Sequence, residues 1–208
     1  MQVVDEHRSE ALRRSRALRT LNHFSYLALA VVVVVPTLLA ALLTLAPVGG
    51  AAVPAIAATA VIDLVVLGGI WLAMRPGAPD VRSAAELDRF RHAGRPVLVE
   101  LYSNFCLICM ATRQVLKAAA TNLGADCQII RVELPTAGGR EIAGAYRILY
   151  TPSFLVFDAH GDLVRTIIPD TITPLANGYR VLDETGALVS RLHRISEEDL
   201  VRLVRRAA

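Results

Sequence analysis

Charge is scarce in this chain. Only 20% of its 208 residues are charged while 54% are hydrophobic, and mean hydropathy is positive at +0.46. That balance excludes an ordinary soluble globule and places part of the chain in lipid. Lysine is nearly absent: Lys117 is the only one, so arginine supplies almost the whole positive side of a formal charge of +3. Aromatics make up 5%. The mild positive excess lies beside the hydrophobic stretches, where membrane topology accounts for it, and no nucleic-acid partner is expected. Three cysteines are too few for a disulfide-stapled mini-domain. Two of them form C-x-x-C, which leaves Cys127 without an obvious mate.

What is abundant is uninterrupted apolar sequence. From Phe24 to Ala46 the chain carries no charge, longer than the roughly 20 residues a spanning helix needs. Pro36 inside it is tolerated as a kink, because neighbouring groups in a membrane satisfy the freed carbonyl. A cleaved signal peptide is disfavoured, since its apolar core runs to only about 7 to 15 residues. A second run, Ala51 to Met74, follows a tight Pro47-Val48-Gly49-Gly50 turn, and the two are expected to form a helical hairpin. Asp63 is the only ionisable residue inside either span. It is read as a neutral carboxyl bonded across the hairpin to Thr37, Thr44 or Thr59, in preference to a contact with a partner protein. Arg8, Arg13, Arg14, Arg16 and Arg19 precede the first span, and Arg75, Arg82, Arg89, Arg91 and Arg95 follow the second. The chain is therefore expected to pass the cell membrane twice with both ends cytoplasmic; an extracytoplasmic domain is the alternative. Asp5 to Arg19 reads as a solvated charged segment rather than a basic helix lying on anionic lipid.

The expected organisation is a basic N-terminal segment at 1–23, a hairpin at 24–74 (spans 24–46 and 51–74), a linker at 75–82 carrying Pro76-Gly77-Ala78-Pro79, and one domain at 83–208. Ser83 with Glu86 forms a capping box for a helix over 83–93. Val97 to Tyr102 is a buried central strand. A helix from Cys106 through Ala120, a strand at Gln128–Glu133 and a helix at Gly139–Tyr146 come next. Ser153–Phe157 and Leu163–Ile168 then form a hairpin about Asp158-Ala-His-Gly161. Val156 to Val164 and Val181 to Val189 match at V, D, G, L and V, a similarity attributed to the commonness of D-x-x-G turns. An extra loop or hairpin falls around 168–194, and Ser196 caps a last helix. Strands interleaved with helices, then a hairpin, make an α/β sandwich with a mixed sheet.

Cys106-Leu-Ile-Cys109 follows the central strand and opens a helix. Unpaired N–H groups at a helix N-terminus stabilise a thiolate, so Cys106 is the expected nucleophile. Cys109, one turn deeper on the same face, is placed to resolve a mixed disulfide. A zinc site would want four ligands, and the chain adds only the scattered Cys127, His92, His160 and His193; Met110 alone is weak support for copper. No metal or other cofactor is expected.

The stretch Val97 to Cys109 resembles the thioredoxin family, in particular its membrane-anchored branch, as does Tyr146 to Asp158 with Pro152 lying 46 residues after Cys106. The resemblance spans 83 to about 168 and the last helix. It implies a thioredoxin-like fold behind a two-helix transmembrane hairpin, and a catalytic set of Cys106, Cys109 and Glu100. Glu100 would be a buried acid relaying a proton to or from Cys109. Thr151 and a cis-Pro152 would bind substrate by pairing backbone with an extended peptide. Phe105 departs from the family's tryptophan, and Leu107-Ile108 from its Gly-Pro. With no cation or histidine between the cysteines, a reductase or mild exchanger is expected over an oxidase. Cys127 is read as a buried core thiol.

The implied function is a membrane-tethered protein thiol–disulfide oxidoreductase whose partners are a disulfide-containing protein, a separate electron-donor protein and the lipid bilayer. Neither span contains cysteine, so the chain cannot relay electrons across the membrane alone. The alternative is a non-catalytic docking or assembly module of a membrane complex.

Overall fold

The structure, a computed structural model, describes residues 17–45, 52–170 and 178–206. After a helical stretch at 17–23, helix α1 (Ser25–Leu45) and helix α2 (Ala52–Met74) lie side by side. Both are long and apolar enough to cross a membrane, and their side chains are exposed over most of their length. Thr37 Oγ1 donates to Asp63 Oδ2 at 2.6 Å across the pair, while Thr44 and Thr59 bond to carbonyls of their own helices. Of the three threonines weighed for Asp63, Thr37 is the partner. The Pro47–Gly50 turn, the segment 1–16 and residues 171–177 of the extra loop lie outside the described residues.

Helix α3 (Ala84–Arg91) is capped by Ser83, whose Oγ accepts from Glu86 N at 3.2 Å. Strand β1 (Val97–Tyr102), helix α4 (Leu107–Leu123), strand β2 (Gln128–Glu133) and helix α5 (Ala137–Ala145) follow, then strands β3 (Ser153–Phe157), β4 (Leu163–Pro169), β5 (Tyr179–Leu182) and β6 (Leu188–Leu192), and helix α6 (Glu197–Arg205). Helix α4 runs past Ala120 to Leu123 because Gly124 ends it, and α5 starts ahead of Gly139 because Thr136 is its cap.

The six strands form one mixed sheet in the order β2-β1-β3-β4-β5-β6, parallel between β1 and β2 and antiparallel elsewhere. All six residues of β1 are buried, which explains why this strand reads as a continuous apolar run rather than an alternation. Leu98, Phe154, Val156 and Ile167 pack beneath α4 and α6. Val97, Val99, Leu101 and Phe157 pack on the other face with Leu87 of α3 and Ile142 of α5. Strand periodicity therefore turns Glu100, between Leu98 and Tyr102, towards α4.

The β3–β4 and β5–β6 connections are built alike. Asp158 Oδ1 accepts from the N–H groups of residues 160 and 162, Asp183 Oδ1 from those of 185 and 187, and Gly161 and Gly186 take φ of 88° and 85°. The shared letters are thus one turn design used twice, with aspartate as the local acceptor and glycine at positive φ.

Candidate active site

The end of β1 and the start of α4 fix the two thiols. Cys106 is the N-cap of α4, in extended conformation, and its Sγ accepts from Cys109 N at 3.4 Å. This is the N-cap arrangement normally made by a Ser or Asp oxygen, here with sulfur as the acceptor. Both cysteines are fully buried, and their sulfurs are not joined as a disulfide. Across from them the Thr151–Pro152 peptide is cis, and the Cys106 thiol reaches Thr151 O at 3.7 Å. Four of the residues singled out in the sequence, Cys106, Cys109, Thr151 and Pro152, therefore meet.

Burial by itself would raise the Cys106 thiol. Hydrogen bonds from the Cys109 and Thr151 side chains and from the N–H groups of Cys109 and Ile108 together outweigh it and hold the thiol below its ordinary 9. Cys109 moves the opposite way. Burial, the hydrogen bond it gives to Cys106 and the charges of Cys106 and Glu100 place it well above the ordinary range. One sulfur is disposed to carry the charge and the other the proton.

Glu100 is 1% exposed, and its Oε1 has no hydrogen-bond partner among the described residues. Burial pushes its carboxyl up to about 8, against the attraction of Arg131 and with the Cys106 and Asp80 charges adding to the rise. It faces the dithiol side of the sheet rather than solvent.

Sequence reasoning missed several neighbours of this site. Tyr179 of β5 is buried close enough that, after burial itself, the charges of Cys109, Cys106 and Glu100 raise its phenol. Trp71 of α2 stacks on Phe105 at 5.3 Å with the rings 13° apart, and its Nε1 donates to Asn104 O at 2.9 Å. Asn104 in turn ties to Gly77 N and O and to Glu133. The loop before Cys106 is thereby fastened to the base of the helical pair. From the other helix, Tyr26 N donates to Phe105 O at 2.8 Å and Leu107 N donates to Ser25 Oγ at 2.9 Å. No local pattern signals these contacts. The one available hint is that Asn22, His23 and Ser25 are polar residues crowded against the start of an apolar run.

Cys127 lies just before β2, buried in the cluster beneath α4 and apart from the dithiol. Burial raises its thiol to about 11. Among the described residues no group of three or more His, Cys, Asp or Glu is placed to hold a metal ion.

No protein-family model matches the chain, and no curated protein matches it either. Solved structures do. A thioredoxin mutant from Halobacterium salinarum is 18% identical at a TM-score of 0.43, covering 63% of this chain and 94% of that one. A Plasmodium falciparum thioredoxin is 17% identical at 0.42, covering 62% and 97%. Fasciola hepatica thioredoxin is 17% identical at 0.40, covering 61% and 96%. The fold of this chain is thioredoxin-like and α/β: the dithiol caps the helix that follows the central strand, and a cis-proline opens the neighbouring antiparallel strand.

Proposed function

We propose that the chain is a membrane-tethered protein thiol–disulfide oxidoreductase that reduces or exchanges disulfides in a protein partner. The observation that carries this reading is the Cys106 sulfur at the N-cap of α4, taking the Cys109 N–H at 3.4 Å, because the attacking species in thiol–disulfide exchange is the thiolate. Cys106 attacks one sulfur of the substrate disulfide; that S–S bond breaks, its second sulfur leaves as a thiolate, and a mixed disulfide forms. Cys109 then loses its proton and attacks the Cys106 sulfur, breaking the mixed disulfide so that the remaining substrate sulfur leaves as a thiolate. The chain is left with a Cys106–Cys109 disulfide and the substrate with two thiols, two electrons having passed to it. A separate dithiol donor protein returns the chain to its reduced form.

Glu100 is the group suited to take the Cys109 proton, since a carboxyl titrating near neutrality exchanges protons readily there. The Thr151 backbone, beside Pro152, is the docking edge for the substrate segment. The two apolar helices anchor the chain in a bilayer, with the 83–208 domain held against the membrane surface by its own dithiol loop. The arginine distribution puts that surface on the cytoplasmic side.

The test uses the full chain in lipid nanodiscs. Equilibration with oxidised and reduced glutathione should give a reversible Cys106–Cys109 disulfide by mass spectrometry, and the Cys109→Ser chain should trap a mixed disulfide with a cellular protein. A chain that forms neither species is not an oxidoreductase. One observation favours the second reading, a non-catalytic docking module: Cys106 is fully buried, and a sulfur that never becomes accessible transfers no electrons.

A further inference from the structure

A nucleophile with no exposed surface, at the foot of a surface designed to pair with a peptide, needs an explanation. Asn22 supplies it. Its Nδ2 donates to Thr151 O at 2.9 Å, and its Oδ1 accepts from Thr151 N at 2.8 Å and from Thr151 Oγ1 at 3.2 Å. One carboxamide thus makes the pair of bonds, to N–H and to C=O of a single residue, that a neighbouring β-strand would make. Asn22 is 129 residues away in sequence and 5% exposed. It is held in place by its own surroundings: Ser103 Oγ donates to His23 O at 2.7 Å, and Ser25 Oγ takes the Leu107 N–H at the mouth of α4. Two backbone groups of Thr151 and one free N–H of the helix terminus are satisfied from within the chain.

We propose that residues 20–26 form an internal plug in which the Asn22 side chain stands in for substrate backbone. The chain then accepts only a partner that brings an extended peptide segment able to displace Asn22 from Thr151. This inference rests on the oxidoreductase reading and adds its regulation and substrate class. A disulfide without adjoining extended backbone offers nothing to exchange for the Asn22 bonds and leaves the plug shut. Because residues 25 and 26 form the first positions of α1, displacement also shifts the base of the first apolar helix. Access to the thiol is therefore coupled to what happens at the membrane surface.

The test compares the wild-type full chain with Asn22→Ala in nanodiscs, both reduced. Two probes are used: an unstructured peptide bearing a thiopyridyl disulfide, and dipyridyl disulfide, which has no backbone. In each reaction Cys106 sulfur bonds to the probe and pyridine-thione leaves, read by its absorbance. Removing the three Asn22–Thr151 bonds should speed the small probe by roughly a hundredfold, and the peptide, which displaces Asn22 in the wild-type chain already, by less than about tenfold. The wild-type chain should prefer the peptide over the small probe, and the variant should lose most of that preference. Equal rates in the two chains overturn the plug, as does failure of both chains to react. If the glutathione experiment yields no Cys106–Cys109 disulfide while Asn22→Ala still reacts faster, the plug stands and the catalytic reading falls.

Should Asn22→Ala not fold, hydrogen exchange on the Cys109→Ser chain decides. Residues 20–26 should lose protection once the peptide is captured, and unchanged protection overturns the proposal.

Discussion

Replacing Glu100 by Gln separates the cost of the buried charge from everything else the side chain does. An ordinary carboxyl titrates at 4.5 and this one at about 8. The native state therefore holds its proton more tightly than the unfolded state does. Stability is full below pH 4.5 and falls as pH rises towards 8, levelling beyond it, since only between those values does the native state bind more protons. At about 1.4 kcal/mol per pH decade, the carboxylate costs roughly 3 kcal/mol at pH 7 and approaches roughly 5 kcal/mol above pH 9. Gln preserves the shape and cannot ionise, while its buried amide costs about 2 kcal/mol at every pH. The variant should be the less stable chain at pH 4.5, overtake the wild type at about pH 6, and lead by about 3 kcal/mol at pH 9. Trp71, the single tryptophan and stacked on Phe105, gives the fluorescence signal for thermal unfolding in detergent. At about 3 °C per kcal/mol for a domain of this size, the difference in Tm should swing by on the order of 10 °C between pH 5 and pH 9. The swing should narrow after oxidation, because the Cys106 charge contributes to the raised value. A Tm difference that stays constant across that range would refute the reasoning, for it would mean that Glu100 ionises as a solvated acid does.

Gly139→Ala should unfold the domain at 37 °C in a circular-dichroism melt, because a Cβ there would lie 2.0 Å from Glu133 O and 2.8 Å from the Leu134 Cα, all backbone that cannot step aside. Thr37→Val should weaken the helical pair by about 1 to 3 kcal/mol by leaving Asp63 without its partner, and Asp63→Asn, which retains an acceptor, should cost less; unfolding of the full chain in detergent ranks the two. Cys127→Ala should leave the glutathione redox equilibrium unchanged, since its sulfur sits in a different cluster from the dithiol, and a shifted equilibrium would contradict that separation.

The sequence made the domain's framework readable wherever local chemistry decides structure. Val97–Tyr102 has no polar alternation because both its faces are covered. Ser83 and Ser196 announce helix starts by accepting from the third residue on, as the structure has them. The C-x-x-C and the Thr-Pro ahead of β3 are short motifs whose meaning lies in the strand and helix beside them. Asn22, Ser25, Trp71 and Tyr179 were illegible for the opposite reason. Each reaches the dithiol region from a distant part of the chain, and each sits in or beside a stretch whose local pattern has another use, as apolar span or as a strand between two others. Asn22 in particular looks like a polar residue marking the end of a membrane run until the fold sets it against Thr151. The matched Asp and Gly letters were visible, but their common purpose was not, since a coincidence of turn residues and a repeated turn read the same.

The claim on which the rest stands is that position in the fold makes Cys106 the more acidic thiol of the pair. Absorbance of thiolate at 240 nm, followed from pH 4 to pH 11 on the reduced Cys127→Ala full chain and again with Cys106→Ser added, measures it directly. The account predicts a first ionisation below the ordinary 9 that vanishes with Cys106→Ser, and a second, far higher, that belongs to Cys109. A first ionisation at or above 9, or one that survives the loss of Cys106, would contradict it.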